Sequence, residues 1–118
     1  MPGIQIKRIY EQPDPKDGIR ILVDRVWPRG VSKEKAALDR WMKDISPSPE
    51  LRKWFNHDPG RFERFKEEYE KELANDEEKM ELAETVKEQA LYQQITLIFS
   101  AKDECHNHAI VLRDWLNR

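Results

Sequence analysis

The chain has 118 residues, of which 37% are charged and 38% are hydrophobic, and its formal net charge is −2. This length and apolar content exclude a disordered tail and fit one domain, which we predict over residues 1–118. The single cysteine excludes an internal disulfide. Because no stretch has the apolar length of a signal core or a membrane span, we predict a cytosolic protein that does not bind membranes.

The charge is divided unevenly along the chain. Residues 1–64 carry a formal charge of +4, and residues 65–118 carry −6. The acidic excess lies within 67–88, where it fits a solvated helix face, so extended nucleic-acid binding is not expected. A local basic site around Arg25 and Arg29 is compatible with this distribution.

Three segments have the pattern of β-strands. Residues 4–10 are rich in β-branched and aromatic side chains, and 19–25 and 95–99 contain apolar runs. Unbroken apolar runs are typical of strands that helices cover on both faces of a parallel sheet. We therefore predict an α/β fold, a three-layer sandwich with a short, mostly parallel sheet flanked by helices.

Residues 33–45 allow two interpretations. With Ser32 as the N-cap, the spacing of Leu38, Met42 and Ile45 fits one helix over the whole segment. The alternation of apolar and polar residues across 38–43 fits a short helix followed by a strand equally well. The residues by themselves leave both versions open.

Four further helices are predicted from capping residues and from apolar side chains at helical spacing. Their predicted positions are 49–56 after Ser48, 59–74 after Asp58, a helix after Asp76 that carries Ala83 and Val86, and 104–116 after Asp103. We expect Trp41 and Trp54 to be core residues.

The segment from Asp24 to Gly30 directly follows the second predicted strand, and ligands of open α/β sheets bind beyond the carboxyl ends of strands. Arg25 and Arg29 are therefore predicted to hold an anion, with Trp27 stacking on it and Gly30 permitting the turn. Asp24 is predicted to orient the ligand or to act as a catalytic base. Alternatively, Asp24 and the two arginines form an internal ion-pair network that only fixes the loop.

A second polar segment, 100–107, lies between the last predicted strand and the last predicted helix. Anions bind readily at helix N-termini, so Ser100, Lys102 and Asn107 are predicted ligand-binding residues. His106 is the predicted acid/base, although it and Asn107 also suit a purely local capping role. If the strands are parallel, both polar segments open on one edge of the sheet and line one pocket.

Neither a reactive thiol nor a metal site is predicted. Cys105 and Ala109 share a helix face with apolar residues, which favours a buried, inert thiol over a nucleophile. His106 and His108 would point about 200° apart on a helix, so they do not form a zinc site with Cys105 and distant His57. No cofactor is expected.

Motifs along the chain resemble the YeaO-like branch of the domain-of-unknown-function 488 (DUF488) superfamily. They are found in residues 19–30, 38–44, 51–55, 57–59 and 106–109. The resemblance covers almost the whole chain, implies an α/β sandwich and no established activity, and favours a short helix and a strand within 33–45. The wider superfamily pattern has a strand-end Cys and a Cys-His-Arg triplet where this chain has Ser100 and the sequence Cys105, His106, Asn107. The resemblance therefore implies a changed site chemistry.

Two functional classes agree with these features. The first is a protein with a site for a small anionic ligand, phosphorylated or nucleotide-like, acting as an enzyme or as a binder. The second is a non-catalytic interaction or regulatory protein that binds an acidic partner or an RNA end. The chain lacks a glycine-rich phosphate loop, which weakens the nucleotide and kinase-like versions of the first class.

Overall fold

A computed structural model describes residues 3–118. In this range four strands form one parallel sheet, with β1 at Ile4–Arg8, β2 at Ile19–Leu22, β3 at Arg40–Trp41 and β4 at Ile95–Phe99. The strand order is β1-β4-β2-β3, so β4 and β2 are central. The predicted α/β class and parallel sheet are confirmed. The predicted domain, 1–118, begins with two residues outside the described range.

The first two strands are shorter than predicted. β1 ends at Arg8 because the chain turns there, and the Glu11 amide donates a hydrogen bond to the Arg8 carbonyl. β2 ends at Leu22, although the Val23 amide still donates to the Ile98 carbonyl at 3.0 Å. Asp24, the residue after Val23, is no longer paired in the sheet, and its carboxylate accepts hydrogen bonds from Ser100.

Five α-helices occur in residues 3–118: α1 (Lys33–Ala36), α2 (Pro49–Phe55), α3 (Phe62–Asn75), α4 (Glu77–Ala90) and α5 (His108–Leu116). The predicted N-caps of α1, α2 and α4 are confirmed. The hydroxyls of Ser32 and Ser48 accept hydrogen bonds from the amides of Lys35 and Leu51, and the Asp76 carboxylate accepts one from the Lys79 amide. The helix predicted after Asp58 is instead a single 3-10 turn followed by α3.

The version with one helix over 33–45 is wrong, and a short helix followed by a strand is confirmed. α1 stops because Ala37 adopts a left-handed conformation, with φ at 48°. β3 then pairs in parallel with β2, and the Met42 amide donates to the Leu22 carbonyl at 2.8 Å. Pairing with a buried strand thus overrides the helical spacing of this segment.

The sheet is covered on both faces, but unequally. Helices α2 to α5 pack on one face around the larger core, which includes Ile21, Leu97, Phe65, Tyr69 and Leu112. The other face carries a small cluster in which Leu22 and Ile98 contact Ala36 of α1, with Trp27 packed at its side. The loop after β2 therefore lies between the small cluster on one face of the sheet and the larger core on the other.

The last helix begins four residues later than predicted. The Asp103 carboxylate accepts hydrogen bonds from the amides of Cys105 and His106, which forms a turn. The N-cap of α5 is Asn107. Cys105 therefore precedes the helix, and its apparent helix-face spacing has no structural meaning. The prediction that this thiol is buried is wrong, because Cys105 is exposed.

Two tryptophans predicted in the core are substantially exposed, Trp41 at 38% and Trp54 at 42%. Their neighbours Met42 and Phe55 occupy the core instead. None of the helices in residues 3–118 has the length and apolar character of a membrane span.

Candidate functional site

The parallel arrangement brings the polar segments that follow β2 and β4 to the same edge of the sheet. A cavity of about 600 Å³ lies there, within the size range of small-molecule sites. Residues of both segments line it, together with residues from the start of α2 and the turn that follows α2. Two segments separated by about 70 residues in sequence, Asp24 to Arg29 and Ser100 to His108, thus share one cavity.

Most of the predicted site residues lie on this cavity, and three do not. Those on the lining are Asp24, Arg25, Trp27, Arg29, Ser100 and Asn107. Gly30, with φ at 74°, and the exposed Lys102 are outside it. His106 also lies outside, because its ring packs edge-on against Phe62 and its Nδ1 is 3.0 Å from the Asp103 carboxylate.

Asp24 joins the ends of β2 and β4 to the start of α5. Its Oδ2 accepts from the Ser100 hydroxyl at 2.5 Å and from the Ser100 amide at 3.1 Å. Its Oδ1 lies 3.1 Å from His108 Nε2, which is equally far from the Val23 carbonyl oxygen. The side chain that lies against Asp24 Oδ1 is therefore His108, and neither of the predicted arginines is within ion-pair distance of Asp24 among residues 3–118.

The electrostatics of Asp24 favour its ionised form. Burial raises the pKa of this carboxyl, but the contacts with His108 and Ser100 together outweigh burial and hold the pKa below its ordinary value. Asp24 is 8% exposed and carries a stable negative charge at neutral pH. Its position and contacts indicate that Asp24 holds the loop after β2 against the loop after β4.

The arginines after Asp24 have no acidic partners within residues 3–118. Arg25 is half-buried, and its only side-chain hydrogen bond to residues 3–118 is from Nη2 to the Pro47 carbonyl at 3.4 Å. Its buried Nε has no hydrogen-bond partner in the described part of the chain. Arg29 is exposed, and among the described residues only its backbone carbonyl accepts a hydrogen bond, from the Tyr10 hydroxyl. Both guanidinium groups thus retain hydrogen-bonding capacity.

Trp27 forms a fixed wall of the cavity. Its indole Nε1 donates to the Val31 carbonyl at 2.8 Å, and its ring packs edge-on against Trp41 with 5.4 Å between centroids. Trp41 in turn donates to the Asp24 carbonyl at 2.7 Å. These contacts hold the loop after β2 in one conformation.

Several residues on the cavity were not predicted from the sequence. Arg52, Lys53 and His57 come from the end of α2 and the turn after it, and His108 is the first residue of α5. His57 has a left-handed backbone, with φ at 54°. If Asn107 is taken as the N-cap in place of Asp103, His108 becomes the first residue of the helix, and this is the signal in the sequence that could identify it. For the residues of α2, only their position in the fold distinguishes them from ordinary surface cations.

The cavity lining is strongly cationic in a chain whose net charge is negative. Four cationic side chains, Arg25, Arg29, Arg52 and Lys53, line it together with a single acid, Asp24. None of the four forms an ion pair within residues 3–118. In the same range, no group of three or more His, Cys, Asp or Glu side chains is arranged to hold a metal ion.

These features define an α/β protein whose parallel sheet carries a cationic cavity at its carboxyl edge. The chain belongs to the DUF488 family, since residues 3–118 match the family model DUF488-N3i, described as the inactive DUF488-N3 subclade. The predicted family resemblance is confirmed.

Proteins similar to this chain occur in Escherichia coli and in Mycobacterium tuberculosis. It is 49% identical over 115 residues to the uncharacterized protein YeaO of Escherichia coli strain K12, covering 97% of this chain and 96% of that protein. It is 37% identical over 114 residues to the uncharacterized protein Rv3073c of Mycobacterium tuberculosis strain H37Rv, covering 97% and 93%. No solved structure gives a significant match.

Proposed function

We propose that the protein binds a small organic anion, of the phosphate-ester class, in the cavity at the carboxyl edge of its sheet. The observation that carries this proposal is a cluster of four cationic residues around one cavity, none of which has an acidic partner within residues 3–118. Arg25 is the anchor of the site, because its partly buried guanidinium group leaves Nε without a partner inside the described chain. A charge-assisted bond to a ligand would satisfy it.

Binding without turnover fits the chemistry of the cavity better than catalysis. A general base works best when its pKa lies near the operating pH, whereas the pKa of Asp24 is held low by His108 and Ser100 despite its burial. The Ser100 hydroxyl donates to Asp24, and Cys105 lies outside the cavity lining. The description of the matching family model as inactive also supports a binding role. Catalysis by Asp24 and His106 stays a prediction.

The proposal is tested by titrating the protein with phenyl phosphate and glucose 6-phosphate, and with phenol and glucose as their uncharged counterparts. Only the phosphorylated probes should bind. Arg25→Gln should weaken their binding by about 1.5 to 3 kcal/mol, the contribution of a charge-assisted hydrogen bond. Isothermal titration calorimetry gives the affinities.

Arg40→Gln is the matched control, because Arg40 is exposed on β3, outside the cavity lining and without an ion pair among residues 3–118. It should leave the affinities unchanged. Equal effects of the two substitutions, or no binding of either phosphorylated probe, would refute an anion site in this cavity.

One observation favours the second candidate function, that of a non-catalytic interaction protein that binds an acidic partner. Tyr10 and Val26 are 51% and 62% exposed and also line the cavity, so its entrance has apolar as well as cationic surface. An acidic segment of a partner would use both kinds of surface. In that case a synthetic acidic peptide should bind more tightly than any small phosphate ester, and Val26→Ser should weaken the peptide alone.

A further inference from the structure

Building on the proposed function, we infer that the ligand carries two separate anionic groups, as a small bisphosphorylated molecule does. The cavity cations come from two different walls. Arg25 and Arg29 lie on the loop after β2, whereas Arg52 and Lys53 lie on the last turn of α2. The two walls belong to separate elements of the chain, and both line the same cavity.

The charge of the cavity exceeds what one phosphate group neutralises. Among residues 3–118, four cationic residues line the cavity, and the one acid on its lining, Asp24, is already in contact with His108 and Ser100. A phosphate monoester carries about −1.5 to −2 at neutral pH, so a single group offsets roughly half of the four positive charges. A second anionic group on the same molecule offsets the rest.

The size of the cavity agrees with a ligand of this kind. A volume of about 600 Å³ lies in the range for organic ligands and provides room for a linker between two anionic groups. The cavity is also lined by Trp27 and Phe55. These two aromatic residues offer apolar contacts to the linker.

Bisphosphonates joined by alkyl chains of increasing length are the probes, each compared at fixed ionic strength with the alkyl monophosphonate of equal length. When one group is bound, the second binds intramolecularly at an elevated effective concentration. The best bisphosphonate should therefore bind about tenfold or more tightly than its monophosphonate, with a maximum at one chain length.

Variants of Arg52 and Lys53 test whether the second anionic group of a bisphosphonate gains its affinity at the α2 wall. Arg52→Gln combined with Lys53→Gln should reduce the affinity ratio of bisphosphonate to monophosphonate to about one, because it removes the second site. The control is Lys33→Gln combined with Lys35→Gln, which removes the same charge from exposed positions of α1 outside the cavity lining. It should preserve the ratio.

The outcomes separate this inference from the proposed function. If monophosphonates bind and bisphosphonates bind equally well, or if affinity does not depend on chain length, the inference is overturned and the anion site stands. If no phosphonate binds, the proposed function fails as well. If a 5′-phosphorylated dinucleotide binds more tightly than every bisphosphonate, the two-phosphate ligand is a nucleic-acid end and the small-molecule class is overturned.

Discussion

Two charged regions at opposite edges of the sheet differ in how their charges are satisfied. Near the amino ends of β2 and β4, the buried Asp17 carboxylate lies 3.1 Å from Lys7 Nζ and 2.6 Å from Arg20 Nη1. Nε and Nη2 of Arg20 donate to the carbonyls of Ala37 and Ala36. At the carboxyl edge, the cavity cations have no acidic partner within residues 3–118. Charges that stabilise a fold satisfy one another, whereas charges that bind a ligand retain capacity for it.

The largest expected effect on stability comes from the amino edge. Asp17→Ala leaves Arg20 buried without its counter-ion, and breaking a buried ion pair costs about 3 to 5 kcal/mol of unfolding free energy. Urea denaturation followed by circular dichroism measures this loss. The control is Asp114→Ala, which removes an exposed partner of Arg113. Similar losses for both variants would show that the Asp17 cluster does not support the fold.

Asp24 should have the next largest effect, because its buried carboxylate connects the loop after β2 to Ser100 and His108. Asp24→Asn removes an anion that His108 and Ser100 stabilise, and should cost about 1 to 3 kcal/mol at neutral pH. Since the folded-state pKa of Asp24 lies below its ordinary value, this contribution is complete above the unfolded-state value of about 3.9. It is lost as the pH falls from there through the folded-state pKa.

Urea denaturation of both proteins from neutral to acidic pH tests this dependence. The difference in unfolding free energy between the wild-type protein and Asp24→Asn should be constant above that range and should shrink below it. A difference that grows on acidification would contradict the assigned direction of the pKa shift.

The smallest expected effect on stability is that of Arg29→Ala. The Arg29 side chain is exposed and has no hydrogen bond or ion pair within residues 3–118, so unfolding free energy should change by less than about 0.5 kcal/mol. The affinity for phenyl phosphate should nevertheless fall. A marked loss of stability with unchanged affinity would place Arg29 with the structural charges and remove the contrast between the two edges.

Local patterns were sufficient for much of the fold. The apolar run at 95–99 predicted β4 with its bounds, and Ser48 and Asp76 predicted the starts of α2 and α4, because strand burial and helix capping depend on neighbouring residues. The loop after β2 was predicted as a site from its position at a strand end. Parallel pairing of β2 and β4 then placed it beside Ser100.

The sequence by itself determined the α/β class, the central strands and one wall of the cavity, since each depends on a local run of residues. Only the tertiary structure decided that His108 contacts Asp24, that Arg52 and Lys53 face the same cavity, and that Cys105 is exposed. A surface cation in a helix has the same local pattern whether it faces solvent or a cavity. The physical reason is that packing between distant segments, which sets the neighbours of each side chain, leaves no local pattern.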